Sequence, residues 1–189
     1  GGWQLWGING IHWVPESGLY RDCVPVHVNA SAIVMWSVVS QLGDIQNYMP
    51  ALKSSELLDG KAPGVGAIRR CVNQAGKAWA EECIAFEPGY RFVVRFLAEV
   101  PDFPFPARAM VGGWEVFPSG DGADVMVWWE LQPKFAFLAP VLMPILAFQA
   151  DRDFPKVIAR MANAARSGED HPEADSEPRM AVGPLSRLC

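Results

Sequence analysis

Arg69 and Glu82 have the types and the spacing to meet across a β-hairpin. The segments 66–73 and 78–86 flank Gln74-Ala75-Gly76-Lys77, and a turn centred on Ala75-Gly76 sets Arg69 opposite Glu82. Such a pair can orient the polar end of a ligand or support acid–base work, because burial moves a carboxyl toward a useful pKa. It can equally be a structural cross-strand pair worth a few tenths to about 1 kcal/mol. The same register puts Arg70 and Glu81 on the opposite face as a solvated pair. It sets Cys71 opposite Ala80, facing away from Cys83.

Other reactive residues offer less. His12, His27 and His171 are scattered, with no H-x-H or H-x-x-x-H spacing to gather a metal. His27 falls off the Val24, Val26, Val28 face and is expected to be exposed. Cys23, Cys71, Cys83 and Cys189 form no C-x-x-C pair, so zinc and redox sites are not expected. Reduced thiols are the expectation, which favours a reducing compartment: the cytoplasm, or an organelle interior after removal of a targeting segment. There is no G-x-S-x-G, and Gly64-Val65-Gly66 leads into a strand, where a phosphate loop would open a helix. No catalytic residue, metal or cofactor is assigned.

The 189 residues suit one domain with a sizeable core, and half of them are hydrophobic, which excludes a disordered chain. A net charge of -5 gives no footprint for nucleic acid. The longest apolar run, 135–148, holds Pro140 and Pro144 and falls short of the ~20 residues a spanning helix needs. A soluble protein without a transmembrane segment is expected. The chain opens Gly1-Gly2, which reads as a processed, trimmed or tagged start, with no visible signal peptide.

Three regions follow from composition. Residues 1–20 form a Trp-rich N-terminal extension, 21–166 a folded domain, and 167–189 an acidic, Pro-containing tail. In the domain, Val24, Val26 and Val28 alternate as a strand, and Asn29 or Ser31 caps a short apolar helix ended by Gly43. A second short helical turn stops at Pro50. Strands are predicted at 53–58, 66–73, 78–86, 90–100, 107–117 and 123–131. A long helix is predicted over 141–166, with Phe154, Ile158, Met161 and Ala165 on one stripe and a kink or break near Asp153 forced by Pro155.

The turns of this meander fall into two sets. One set, around Asp59-Gly60, Pro88-Gly89 and Gly120-Asp121-Gly122, is short and polar. The other set, at the opposite end of the sheet, carries Phe103, Phe105, Phe135, Phe137 and Leu138. A turn needs no Phe to be a turn. These side chains are a ligand gate, a partner surface, or a lid over the start of the long helix.

A strand, two short helices, six strands and a long helix is the order of the helix-grip fold. The sequence resembles the START-like, polyketide cyclase/dehydrase and lipid-transport superfamily (SRPBCC). The likeness rests on Asn29-Ala30-Ser31-Ala32-Ile33-Val34-Met35-Trp36, on Gly43-Asp44-Ile45-Gln46-Asn47-Tyr48-Met49-Pro50, on Pro63-Gly64-Val65-Gly66-Ala67-Ile68-Arg69, and on Glu82-Cys83-Ile84 with Glu87-Pro88. It covers about 24–165. Tyr48 or Met49 stands where the family usually has Trp. The resemblance implies an α+β fold: a curved seven-stranded antiparallel sheet wrapped around a long C-terminal helix, with two short helices between strands one and two. It also implies a cavity between sheet and helix, rimmed by the aromatic turns. Arg69, Glu82, Phe92, Val94, Trp114, Trp129, Phe154, Ile158 and Met161 would line it, although a filled core would use the same apolar residues. Gly112 and Gly113 beside Trp114 fit either a bend or a close approach.

Three functions fit this reading. The first is non-catalytic binding of a hydrophobic small molecule or lipid in the cavity. The second is an accessory subunit that docks on a protein partner through its extensions and aromatic loops, with the N-terminal extension or the tail held by another molecule and not by this domain alone. The third is a polyketide cyclase or dehydratase, weakened because no acidic or basic group converges on Arg69 and Glu82 in the sequence.

Overall fold

The computed structural model describes residues 12–14, 19–167, 179–180 and 189. The chain forms β1 (His12–Val14), β2 (Leu19–Val28), α1 (Ala32–Val39), β3 (Leu52–Leu57), β4 (Ile68–Asn73), β5 (Ala78–Glu87), β6 (Arg91–Phe96), β7 (Ala107–Ser119), β8 (Gly122–Pro133), α2 (Ala139–Ser167) and β9 (Arg179–Met180). The order across the sheet is β1-β2-β8-β7-β6-β5-β4-β3, all antiparallel, with β9 also on β2. Strands β2 to β8 are the expected seven, and β1 and β9 add two short ones. Alternation drives the pattern. In β2, Asp22, Val24, Val26 and Val28 are buried while the residues between them are half-buried.

Ser31 caps α1, its hydroxyl accepting from the Val34 N–H at 3.3 Å. A 3-10 turn, Leu42–Asn47, follows and is tied to β3: Ser55 Oγ donates to the Gly43 carbonyl at 2.6 Å and accepts from the Gln46 N–H at 3.1 Å. These two short helices close one end of the sheet. α2 then crosses the concave face. Val157, Ile158 and Met161 pack against Val24, Val26, Phe92, Trp114, Val125 and Val127 in one cluster. Arg160 ties the helix to the 3-10 segment by donating to the Tyr48 carbonyl at 3.2 Å.

Several expectations change. α2 runs unbroken from Ala139 to Ser167 through Pro144 and Pro155, so of the kink or break expected near Asp153 the break does not occur. Pro155 is itself buried, and the packing around it offsets the hydrogen bond its ring removes. β2 starts at Leu19, earlier than the alternation of Val24, Val26 and Val28 suggested. The N-terminal extension or the tail was expected to be held by another molecule and not by this domain alone; the described backbone of each, 12–14 and 179–180, joins β2. The remainder of both extensions lies outside the described residues. The four thiols are not all reduced. Cys71 and Cys83 are free and buried, but Cys23 is bridged to Cys189 with Cα atoms 6.1 Å apart. A bridge across 166 residues leaves no sequence argument for a reducing compartment.

The outer face of the sheet has its own buried cluster, Val93, Met126 and Trp128, with Cys23, Ala85 and Val111 around it. Gly113 is there to receive Trp128: a Cβ at 113 would stand 2.3 Å from the indole. Gly112 meets Phe96 and Val94 at ordinary contact distance. Neither glycine marks a widened interior. Gly113→Ala should therefore push Trp128 off its seat. It should cost about 1–3 kcal/mol, or roughly 2–4 °C of melting temperature per kcal/mol. Thermal unfolding followed by circular dichroism checks this, and an unchanged midpoint would show that Trp128 is free to swing away.

Candidate functional site: the concave face and its buried carboxyls

The β4–β5 turn decides which carboxylate enters the interior. Asn73 and Lys77 close it: the Asn73 N–H donates to the Lys77 carbonyl at 2.9 Å, and the Lys77 N–H donates to Asn73 Oδ1 at 2.9 Å. Gly76 supplies the positive φ of 82°. The loop is thus three residues, one more than a two-residue turn centred on Ala75-Gly76 has. The pairing slips by one, and Arg69 lies opposite Glu81. Glu82 faces outward and pairs with Arg95 at 3.4 Å, so it leaves the candidate site. Arg70 is exposed opposite Ala80, so the expected Arg70–Glu81 surface pair does not form.

Arg69 and Glu81 are both buried, 3.0 Å apart. Burial works against the Arg69 charge, but Glu81 beside it more than compensates and raises its pKa further. Arg69 also donates to the Leu42 carbonyl at 3.0 Å, which locks the 3-10 segment to the sheet. Glu81 accepts from Trp79 Nε1 at 3.2 Å and from Cys71 Sγ at 3.3 Å. Burial pushes the Cys71 thiol up, so it is an inert neighbour and no nucleophile. With so many partners inside the protein, this pair acts as a structural clamp.

Phe92, Val94, Trp114, Trp129, Ile158 and Met161 are all buried, with Phe154 half-buried. Phe92 stacks on Trp114 with centroids 6.4 Å apart, and Trp114 meets Phe154 edge-on at 5.9 Å. Phe154 touches both the large core cluster and a second one, made of Ala107, Trp129, Leu131, Ala139, Met143 and Ala147.

Between those clusters the structure places two residues that sequence reasoning missed. Asp22, on β2, is fully buried opposite Trp129 of β8. Asp151, on α2, faces it one helical turn before Phe154. Burial pushes the Asp22 carboxyl up to about 9, helped by Asp151; the Trp129 indole and the Cys23 N–H pull the other way. Asp151 is raised too, by burial, while Asp22 as donor pulls it down. Both shifts run the same way: burial of the pair favours a proton held between the two carboxyls, most strongly at Asp22. Their geometry stays open: Asp22 Oδ1 and Oδ2, Asp151 Oδ1 and Trp129 Nε1 are buried without a hydrogen-bond partner. No motif links residues so far apart in sequence; the one available clue was Asp22 in phase with Val24, Val26 and Val28.

His27, expected to be exposed, is half-buried and lies 2.7 Å from Asp124. Among the described residues no group of three His, Cys, Asp or Glu side chains converges as metal ligands. No described helix is long and apolar enough to cross a membrane.

The aromatic turns divide. Phe103 and Phe105 fold inward, Phe105 meeting Trp79 at 5.0 Å and Phe96 at 5.9 Å. Phe135, Phe137 and Leu138 stay exposed and continue into Val141, Ile145 and Phe148 along α2. A hollow of about 490 Å³ opens at the same end, between Gly76-Lys77 and Pro101-Asp102-Phe103. Arg70, Ala78 and Ala80 place it on the outer side of β4 and β5, away from the space between sheet and α2.

The family described as polyketide cyclase / dehydrase and lipid transport matches residues 24–166. The chain belongs to this family. Solved structures of the same fold include Ara h 8.0201, with TM-score 0.61 and 12% identity over 79% of this chain and 99% of that one. Norcoclaurine synthase from Thalictrum flavum, in complex with dopamine and hydroxybenzaldehyde, gives 0.61 and 15% over 89% and 95%. The Zhui aromatase/cyclase from Streptomyces sp. R1128 gives 0.59 and 18% over 78% and 94%. At these identities the likeness shows the helix-grip fold. No curated protein sequence matches the chain. In this family member the expected helix-grip architecture holds.

Two predictions follow from the two buried pairs. Glu81→Leu should strand the Arg69 charge and cost about 3–5 kcal/mol, while adding Arg69→Met should recover most of it. Urea unfolding of both variants checks this, and a double variant no better than the single would contradict the clamp. For Asp22, the folded chain holds a proton that the unfolded chain, with a carboxyl pKa of about 3.9, has released. Its contribution is fully present below that value and is lost as pH rises toward about 9. Asp22→Asn should therefore flatten the loss of stability between about pH 4 and 9 and exceed the native chain in stability at the alkaline end. An identical pH profile in urea unfolding would show that Asp22 is not the buried acid.

Proposed function

We propose that the protein binds a hydrophobic small molecule or lipid between the concave face of its sheet and α2, without covalent chemistry. The observation that carries this reading is the set of buried polar atoms left unpartnered between two apolar clusters. A buried acceptor or donor without a hydrogen bond costs about 1–3 kcal/mol. Asp22, Asp151 and Trp129 together present four such atoms. A guest with an apolar body and a polar end would relieve that cost and contact Trp129, Met143 and Ala147 on one side, Trp114, Phe154 and Ile158 on the other. Phe103 and Phe105 would rim the entry. Membership of a family described by lipid transport supports the same reading.

A second reading draws on the exposed apolar face. Phe137 is 79% exposed and Val141 68%, with Ile145 and Phe148 beside them. Monomers rarely leave such a stripe uncovered. It suits docking on a partner protein, an accessory role compatible with ligand binding. Serine at Phe137, Ile145 and Phe148 should abolish any self-association or pull-down partner and leave guest binding intact. Loss of guest binding in that variant would place the stripe at the gate.

Organic extraction of the purified native protein, followed by mass spectrometry, should release an apolar compound at up to one per chain. The emptied protein should then bind 1-anilinonaphthalene-8-sulfonate, and Phe154→Ala should change that affinity. No extracted compound together with no dye binding would overturn the carrier reading.

A further inference from the structure

The buried carboxyl pair also tells what the polar end of the guest must be. We infer that Asp22 and Asp151, with Trp129 beside them, form a binding site for the protonated amine of an amphiphilic ligand. This rests on the proposed binding of a hydrophobic molecule against α2 and specifies its chemistry.

The count of groups carries the argument. Three of the four unpartnered atoms are carboxyl oxygens, Asp22 Oδ1 and Oδ2 and Asp151 Oδ1; the fourth is the Trp129 indole N–H. The site is therefore rich in acceptors. A primary ammonium brings three donors and no acceptor. A hydroxyl brings one donor, and a carboxylate brings none and adds a like charge. Two acids side by side in an apolar setting repel each other once ionised, and a positive charge between or beside them relieves that repulsion. Among the described residues no salt bridge joins a Lys or Arg to Asp22 or Asp151: Arg69 is held by Glu81 and Leu42, and Arg21 is paired with Glu130. The Trp129 ring adds an aromatic surface, which attracts a cation or an N–CH₂ group.

The position fits an amphiphile. On α2, Asp151 follows Ala147 and precedes Phe154, so apolar surface lies on both sides of the charge. Asp22 pairs with Trp129 in the register, two residue pairs away from Tyr20–Leu131 at the aromatic-loop end of β2. An alkyl or aryl body can then lie on Trp114, Phe154 and Ile158 while the ammonium rests between the two carboxyls.

Isothermal titration of the emptied full chain with decylamine, decan-1-ol and sodium decanoate tests this, each below its aggregation limit. Decylamine should bind about tenfold tighter than decan-1-ol or more, since charge-assisted hydrogen bonds contribute more than neutral ones, and decanoate should bind most weakly. Asp22→Asn and Asp151→Asn, each checked by circular dichroism, should erase the amine preference while leaving decan-1-ol affinity within about threefold. If decan-1-ol and decanoate bind as well as decylamine, or if both Asn variants keep the preference, the amine site is overturned and the carrier reading stands. If none of the three binds, both fall.

Discussion

A curved antiparallel sheet has an apolar concave face that no strand can cover, and one helix does that work here. α2 lays Val157, Ile158 and Met161 on Val24, Val26, Phe92, Trp114, Val125 and Val127. Every other feature adjusts to that contact. The two short helices plug one end of the sheet, Arg160 fastens α2 to them through the Tyr48 carbonyl, and Arg69 fastens them to β4 through the Leu42 carbonyl. At the other end the helix leaves the core, its early turns exposing Val141, Ile145 and Phe148 while Met143 and Ala147 stay buried.

Two polar pairs lie on that concave face, and they differ in one respect. Arg69 and Glu81 carry opposite charges, and apart from the buried Arg69 Nε their polar atoms are met by each other and by Leu42, Trp79 and Cys71. Burial of such a pair is tolerated because its bonds are made internally. Asp22 and Asp151 are two acids of like kind that face each other and the Trp129 indole, and among the described residues no salt bridge joins them to a basic side chain. A chain that only needed a core would gain by replacing them with apolar residues of similar size. Their presence beside Trp129, between two apolar clusters, is the feature on which the proposed binding rests.

Much of the architecture was legible in the sequence because alternation is a local signal. Val24, Val26 and Val28, or Phe92, Val94 and Phe96, mark strands without help from the rest of the chain, and Ile158 and Met161 mark a helix stripe. What failed was whatever depended on distant partners or on one residue of turn geometry. Asn73 and Lys77 closing a three-residue loop exchanged Glu82 for Glu81. Pro155 did not break α2, since burial outweighs a local propensity. Cys23 with Cys189, and Asp22 with Asp151, are pairings that only the folded topology brings together.

The central claim is that the interior of this fold holds a carboxylic acid kept neutral by its surroundings and open to a guest. Carbon-13 NMR of side-chain-labelled aspartate reads that state directly. The account predicts one aspartate carboxyl that stays protonated through neutral pH, and that disappears from the spectrum in Asp22→Asn. If every aspartate carboxyl titrated near its usual value of about 3.9, Asp22 would be an ordinary ionised group and the account of this interior would be wrong.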